Sequence, residues 1–303
     1  MLPNLRFIPL FPLLILAWTL APQPSLADQW EQLCPALPVD GVTDLVMRDS
    51  TVGFFSNAAG SIFRTTDGGS HWERVAHIEG DCVSLIRFAD ALYGFAASPF
   101  SGLWTEQTPF LYTTDGGAGW TEGEVDLADA ACFIPLSRSA ILKGNDTGIQ
   151  KLDNFFGQWT TTFVMPTFMA GDVRMSTGSI HAMVLRGGTV IALGSHWRAK
   201  QYGVVTDSVS FVVRSSDEGS TWSTLWSGSL QSLRALAFAD SLTGWAGGEH
   251  RSIYRTTDGG VHWTGTTGTD SSTTVVHELA ALSGPVVVGV TGEGSFSEVP
   301  TAA

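Results

Sequence analysis

The chain has 303 residues, 44% of them hydrophobic and only 15% charged, a composition that supplies a large buried core and excludes intrinsic disorder. Its 29 acidic and 16 basic side chains give a formal net charge of −13. Nucleic acid needs a basic stripe, and the densest cationic cluster is Arg198-Ala199-Lys200, so a nucleic-acid partner is excluded and the charge is read as a source of solubility.

At the N-terminus, Arg6 is the only charge before an apolar run from Phe7 to Leu20, which Pro9 and Pro12 interrupt. Ser25-Leu26-Ala27 then places small residues at the −3 and −1 positions of a cleavage site before Asp28. Residues 1–27 are therefore expected to be a signal peptide and residues 28–303 an exported domain, periplasmic or secreted. No membrane span is expected after cleavage. Cys34 follows Glu31-Gln32-Leu33, which lacks the small residue of a lipidation signal, so no lipid anchor is expected. Of the three cysteines, Cys82 and Cys132 both fall at the start of predicted innermost strands and form the candidate disulfide, with three buried free thiols as the alternative.

From residue 47 onward the chain repeats. Arg64-Thr65-Thr66-Asp67-Gly68-Gly69-Ser70-His71-Trp72 returns as Tyr112 to Trp120 around Asp115, as Arg214 to Trp222 around Asp217, and as Arg255 to Trp263 around Asp258. A worn copy runs from Leu152 to Trp159 around Asp153. A second motif precedes three of these copies: Met47 to Phe54, Phe88 to Phe95 and Phe238 to Trp245, each with an aspartate in third place and a glycine in seventh. The five motif aspartates are spaced about 48 residues apart on average, the length of a propeller blade. Short apolar and β-branched runs between turn residues predict four strands per unit, and no segment after the signal peptide has sustained helical periodicity.

Asp67, Asp115, Asp217 and Asp258 are read as turn-formers that accept backbone N–H bonds, and Trp72, Trp120, Trp222 and Trp263 as packing between neighbouring sheets. A catalytic or metal role is disfavoured because one active site does not need four equivalents. His277–Leu282, Val286–Val290 and Ser295–Val299 read as three further strands. Gln29-Trp30-Glu31-Gln32-Leu33 resembles the outer strand at His71–Val75 and is expected to supply the fourth, closing the ring. The expectation is an all-β, single propeller of four-stranded blades, six in number, or seven if the long unit near residues 170–228 hides another.

These Ser/Thr-x-Asp-x-Gly-x-x-Trp copies resemble the Asp-box (bacterial neuraminidase) repeats of the sialidase-like superfamily. The fuller unit, from Phe238-Ala239-Asp240 to Trp263, is most similar to the repeat of photosystem II stability/assembly factor-like proteins. That resemblance implies a seven-bladed, non-enzymatic assembly chaperone in an exported compartment. The chain departs from the pattern in its six counted blades and in having no evident basic surface patch. A retaining sialidase would need three arginines, a Tyr–Glu pair and an acid/base Asp. Here Arg6-Phe7-Ile8-Pro9 lies in the signal peptide, and of four tyrosines only Tyr202 is free of the repeat pattern. Xyloglucanase-like enzymes use two facing propellers, and this chain holds one.

No phosphate-cradling loop, CxxC or HExxH occurs, and the histidines have no ligand spacing, so no metal and no cofactor are expected. On the face opposite the motif turns, the loops joining second and third strands are the candidate binding surface. Ser98–Thr108 carries Trp104 and Glu106. Ser195–Ser208 carries His196, Trp197, Arg198 and Tyr202, and a shorter loop carries Glu249, His250 and Arg251. The expected function is an exported, monomeric, non-enzymatic module that binds a protein or glycan partner or scaffolds assembly. The alternatives are a sialidase-type glycoside hydrolase and a secreted glycan-binding or structural module.

Overall fold

A computed structural model describes residues 41–79, 83–98, 110–127, 129–154, 157–165, 168–170, 173–175, 178–200, 204–228, 233–250, 252–266, 275–281, 287–291 and 296–298. Every element is a β-strand. Blade 1 holds β1 (Val42–Met47), β2 (Gly53–Asn57), β3 (Ser61–Thr65) and β4 (Glu73–His77). Blade 2 holds β5 (Leu85–Phe88), β6 (Gly94–Ala97), β7 (Phe110–Thr113) and β8 (Thr121–Gly123). Blade 3 holds β9 (Cys132–Pro135), β10 (Ile141–Gly144), β11 (Gly148–Leu152) and β12 (Thr160–Val164). A two-stranded hairpin follows, β13 (Phe168–Ala170) and β14 (Val173–Met175). Blade 4 holds β15 (Gly178–Arg186), β16 (Thr189–Lys200), β17 (Val204–Ser215) and β18 (Ser223–Gly228). Blade 5 holds β19 (Leu233–Phe238), β20 (Gly244–Gly248), β21 (Ile253–Thr256) and β22 (Thr264–Thr266). The last sheet has three strands, β23 (Val276–Ala281), β24 (Val287–Thr291) and β25 (Phe296–Glu298).

The described chain is therefore an all-β propeller with five four-stranded blades, which corrects the expected six and the alternative seven. Two features account for the miscount. The long fourth unit spends its extra residues on the β13–β14 hairpin and on lengthened β16 and β17, not on another blade. The C-terminal sheet has the three strands expected of it and stands beside blade 5 through β19 and β20, but it is not four-stranded. The expected N-terminal partner strand at residues 29–33, like the signal peptide, lies outside the described residues.

The core is a series of apolar layers, one between each pair of neighbouring sheets. Phe54 and Ile62 of blade 1 meet Ile86 and Leu111 of blade 2. Phe95 and Phe110 meet Phe133 and Ile141 across the next gap, and Leu142 and Ile149 meet Ile180 and Phe211 across the third. Leu193 and Val212 meet Leu236 and Phe238 in the fourth. Ala237 and Trp245 pack on Val276 and Leu279 of the last sheet. A strand so placed is buried on both faces, which is why β2 and β20 read as unbroken buried runs and not as alternating ones. Polar staples cross the same gaps: Arg48 donates to Gly116 O at 3.2 Å, Lys151 to Ser220 Oγ at 3.2 Å and Arg186 to Phe238 O at 2.7 Å.

Candidate functional site

Antiparallel order puts the turns joining first to second and third to fourth strands at one end of each blade. The aspartate motifs form the second kind of turn, and the chemistry is the same in four blades. Thr65 Oγ1 donates to Asp67 Oδ1 at 2.9 Å and accepts from Gly69 N at 2.9 Å, while His71 N donates to Asp67 Oδ1 at 2.9 Å. Thr113, Ser215 and Thr256 repeat the relay with Asp115, Asp217 and Asp258. His71 and His262 add ring contacts to their aspartates at 2.6 Å, and Thr221 adds a hydroxyl to Asp217 at 2.6 Å. These bonds hold the four carboxyls below the usual range: the backbone N–H of His71 and of His262, ahead of the ring contacts, lowers Asp67 and Asp258 to about 2 each. Gly68, Gly116 and Gly259 donate to Thr51 O, Leu92 O and Leu242 O at 2.8 Å, tying each corner to its blade's first turn.

Two of the indoles reach back to the preceding blade. Trp120 lies edge-on to Phe54 of blade 1, with ring centroids 6.3 Å apart, and Trp222 lies edge-on to Phe163 of blade 3 at 6.3 Å. Trp263 packs against the cluster shared by blades 4 and 5 and lies edge-on to Phe238, and Trp72 packs on Phe55 of its own blade. The worn copy differs: Asp153 pairs with Lys151 at 3.2 Å, and Trp159 lies under the Lys143 ammonium at 4.5 Å.

The opposite end of the blades carries the second-to-third strand turns and the blade connectors. Here the innermost strands break register. Thr43 of β1, His181 of β15, Arg234 of β19 and His277 of β23 each occupy the extra position of a β-bulge. A bulge re-aims the side chain it carries, and bulges gather beside functional sites. Three of the four are polar groups with defined partners. Thr43 Oγ1 donates to Val83 O across the gap between blades 1 and 2. His181 Nε2 meets Ser195 Oγ at 2.7 Å, and Arg234 Nη2 donates to Glu249 Oε1 at 3.3 Å. Burial, followed by the nearby Arg234 charge, lowers His181 to about 4 and keeps its ring neutral. Arg87 of β5 pairs with the buried Asp44 at 2.7 Å, and Lys143 pairs with Asp129 at 2.6 Å.

Among the expected binding residues, Glu249 and His250 lie together on the β20–β21 turn beside Arg234. His250 has φ +55°, a left-handed conformation uncommon outside glycine. Trp197 and Arg198 are not in a loop: the β16–β17 ladder continues from Ser195↔Ser210 to Lys200↔Val204. His196 is buried, its ring 5.9 Å from that of Phe211. Trp104, Glu106, Tyr202 and Arg251 lie outside the described residues, as does Cys82, while Cys132 is a buried free thiol that burial pushes up to about 12. Asn145, within a glycosylation sequon, is fully buried: its amide donates to Asp129 and accepts from Thr147 and Gly148. Sequence reasoning passed over Arg87, His181 and Arg234, yet each is a polar residue inside a mainly apolar innermost strand, and that intrusion is the signal that marks them.

No family model matches the chain, and no curated protein sequence matches it. Solved structures share its fold. The GH74 xyloglucanase of Xanthomonas campestris superposes with a TM-score of 0.58 at 12% identity, over 88% of this chain and 46% of that one. U3-55K superposes with a TM-score of 0.54 at 11% identity, over 85% and 76% of the two chains. YCF48 bound to D1 peptide superposes with a TM-score of 0.47 at 14% identity, over 86% and 94%. At these identities the likeness to the xyloglucanase and to U3-55K is one of fold: this chain is a β-propeller.

Proposed function

We propose that this chain is an exported Asp-box propeller whose job is to hold a protein partner, without catalysis, on the face opposite its aspartate corners. The carrying observation is the blade 4 hairpin. β16 and β17 are twelve residues each, where the central strands of every other blade have four or five. The surplus runs beyond the end of β15, whose pairing stops at Gly178↔His196, and beyond β18, whose pairing stops at Ser210↔Gly228. It forms a two-stranded ribbon whose outer backbone edges pair with neither β15 nor β18, and backbone edges not used by the sheet are a common means of holding a polypeptide. On the same face, charged side chains of the inner strands are engaged in pairs: Asp44 of β1 with Arg87 of β5, Lys143 of β10 with Asp129, and Arg234 of β19 with Glu249. That favours a recognition surface over a hydrolytic one.

The test removes residues 197–208 and joins the register partners His196 and Val209 through an Asn-Gly turn, which suits a two-residue hairpin. The expected outcome is an unchanged thermal melt with loss of the proteins captured from an extract of the cell envelope. Undiminished capture would overturn the reading. N-terminal sequencing of protein recovered outside the cytoplasm is expected to begin at Asp28.

A further inference from the structure

The two edges of the blade 4 ribbon differ. On the β16 side, the β13–β14 hairpin leads into β15 and β13 approaches β16, so the chain's own backbone stands near that edge. On the β17 side, the outer strand β18 stops at Ser210↔Gly228. Beyond that pair β17 stays laddered to β16, from Val209↔His196 to Val204↔Lys200. Among the described residues, no strand pairs with the other side of residues 204–208. The remaining four blades have no such overhang. The first residue of each third strand is already paired with the outer strand: Ser61 with His77, Phe110 with Gly123, Gly148 with Val164 and Ile253 with Thr266.

In an antiparallel sheet, the N–H and C=O groups of successive residues serve the two sides of a strand in turn. Pairing with β16 therefore engages only part of the backbone of residues 204–208, and the rest faces the position in line with β18. A bulge with Thr206 as its extra residue interrupts this stretch without ending it, because the ladder resumes at Val205↔Ala199. Natural sheet edges are blunted by proline, by lysine and other charges, by bulges or by a cover. Val204-Val205-Thr206-Asp207-Ser208 has no proline and no lysine, carries one charge and opens with three β-branched residues. Apart from Asp207 and the bulge, its composition is that of a paired strand.

We infer that the β17 edge at residues 204–208 takes an extended segment of a protein partner as an added strand, in line with β18 and antiparallel to β17. This rests on the protein-binding reading above and gives it a mode of recognition. Main-chain hydrogen bonds supply the hold, so the segment that fits is free of proline and rich in β-branched residues.

The probe is the capped peptide Lys-Thr-Val-Thr-Val-Thr-Val-Lys, beside a counterpart methylated on its two central backbone nitrogens, one for each edge of the strand. Binding is measured by calorimetry and located by amide hydrogen exchange. The unmethylated peptide is expected to bind and to slow exchange in residues 204–208 while leaving β6 unchanged. The methylated peptide, alike in side chains and charge, is expected to bind about ten-fold more weakly. The protein lacking residues 197–208 is expected not to bind either peptide. Absence of binding, equal binding of the two peptides, unaltered exchange in residues 204–208, or binding that survives the deletion would each overturn the added strand. Full protection of residues 204–208 in the free protein would assign the edge to a segment of this chain. A dimer in sedimentation that the deletion abolishes would assign it to a second copy, and either result also overturns the proposal. Peptide behaviour as expected, in a protein whose partner capture survives the deletion, would sink the ribbon reading and leave the strand site standing. Capture lost on deletion without peptide protection of β17 would do the reverse.

Discussion

Glu218 stands where the other three corners have Gly68, Gly116 and Gly259, and it adopts φ +55° where they adopt +72° to +75°. A side chain with a Cβ is strained in that region, while glycine is not. Glu218→Gly is therefore expected to stabilise the protein by about 0.5–1 kcal/mol, after allowing for the greater freedom glycine gives the unfolded chain. A denaturant melt showing destabilisation would contradict the assignment of this corner. Tyr254 makes the complementary case. It is buried between blades 4 and 5, and its hydroxyl has no partner among the described residues. Removing an unsatisfied buried hydroxyl relieves a desolvation cost, so Tyr254→Phe is expected to be neutral or stabilising by up to about 1 kcal/mol. The corner relay itself is legible from sequence because it is local: the Ser or Thr two residues before each aspartate and the glycine two after it lie within one turn, and adjacency in the chain fixes their contact.

Element by element, the long β15–β16–β17 sheet separates what sequence conveys from what it hides. Alternation and turn residues mark the strands, but a loop and a continued ladder contain the same residues. Trp197 and Arg198 read as loop decoration until pairing with Ser208 and Asp207 places them in a ribbon. The bulge at His181 is hidden for a related reason, since register depends on the partner strand and not on the strand alone. Its consequence is measurable. His181 titrates ordinarily near 6.5 when unfolded and at about 4 in the fold. Between these values the unfolded chain takes up a proton that the folded chain refuses. Stability contributed by the neutral ring is thus complete above pH 6.5 and is lost as pH falls toward 4, by about 3 kcal/mol at most. The corner aspartates lose their contribution later: Asp67 and Asp258, ordinarily near 3.8, lie at about 2 and stay charged until then. Acid denaturation is expected to have two limbs, and His181→Gln to abolish the first while leaving the second. A single limb below pH 4 in the unmodified protein would refute the buried, neutral histidine.

In the whole molecule, stability resides in the gaps between sheets. Most of the burial is shared between blades, since Phe54, Phe95, Leu142, Leu193 and Trp245 all pack against the next sheet. Stacked units of this kind are stabilised by neighbour contacts, which explains why repeat spacing was so informative about architecture. The sequence by itself determined that the chain folds into successive four-stranded β-sheets, because that property depends on residues within one repeat and on burial of both strand faces. Only the tertiary structure decided that five blades are complete, that the long fourth unit is a ribbon and a hairpin, and that Arg234, His181 and the Glu249–His250 turn lie at one end of the blades. Blade count and bulge register arise from pairing between segments, and a linear pattern of residue types does not encode which segment becomes whose neighbour.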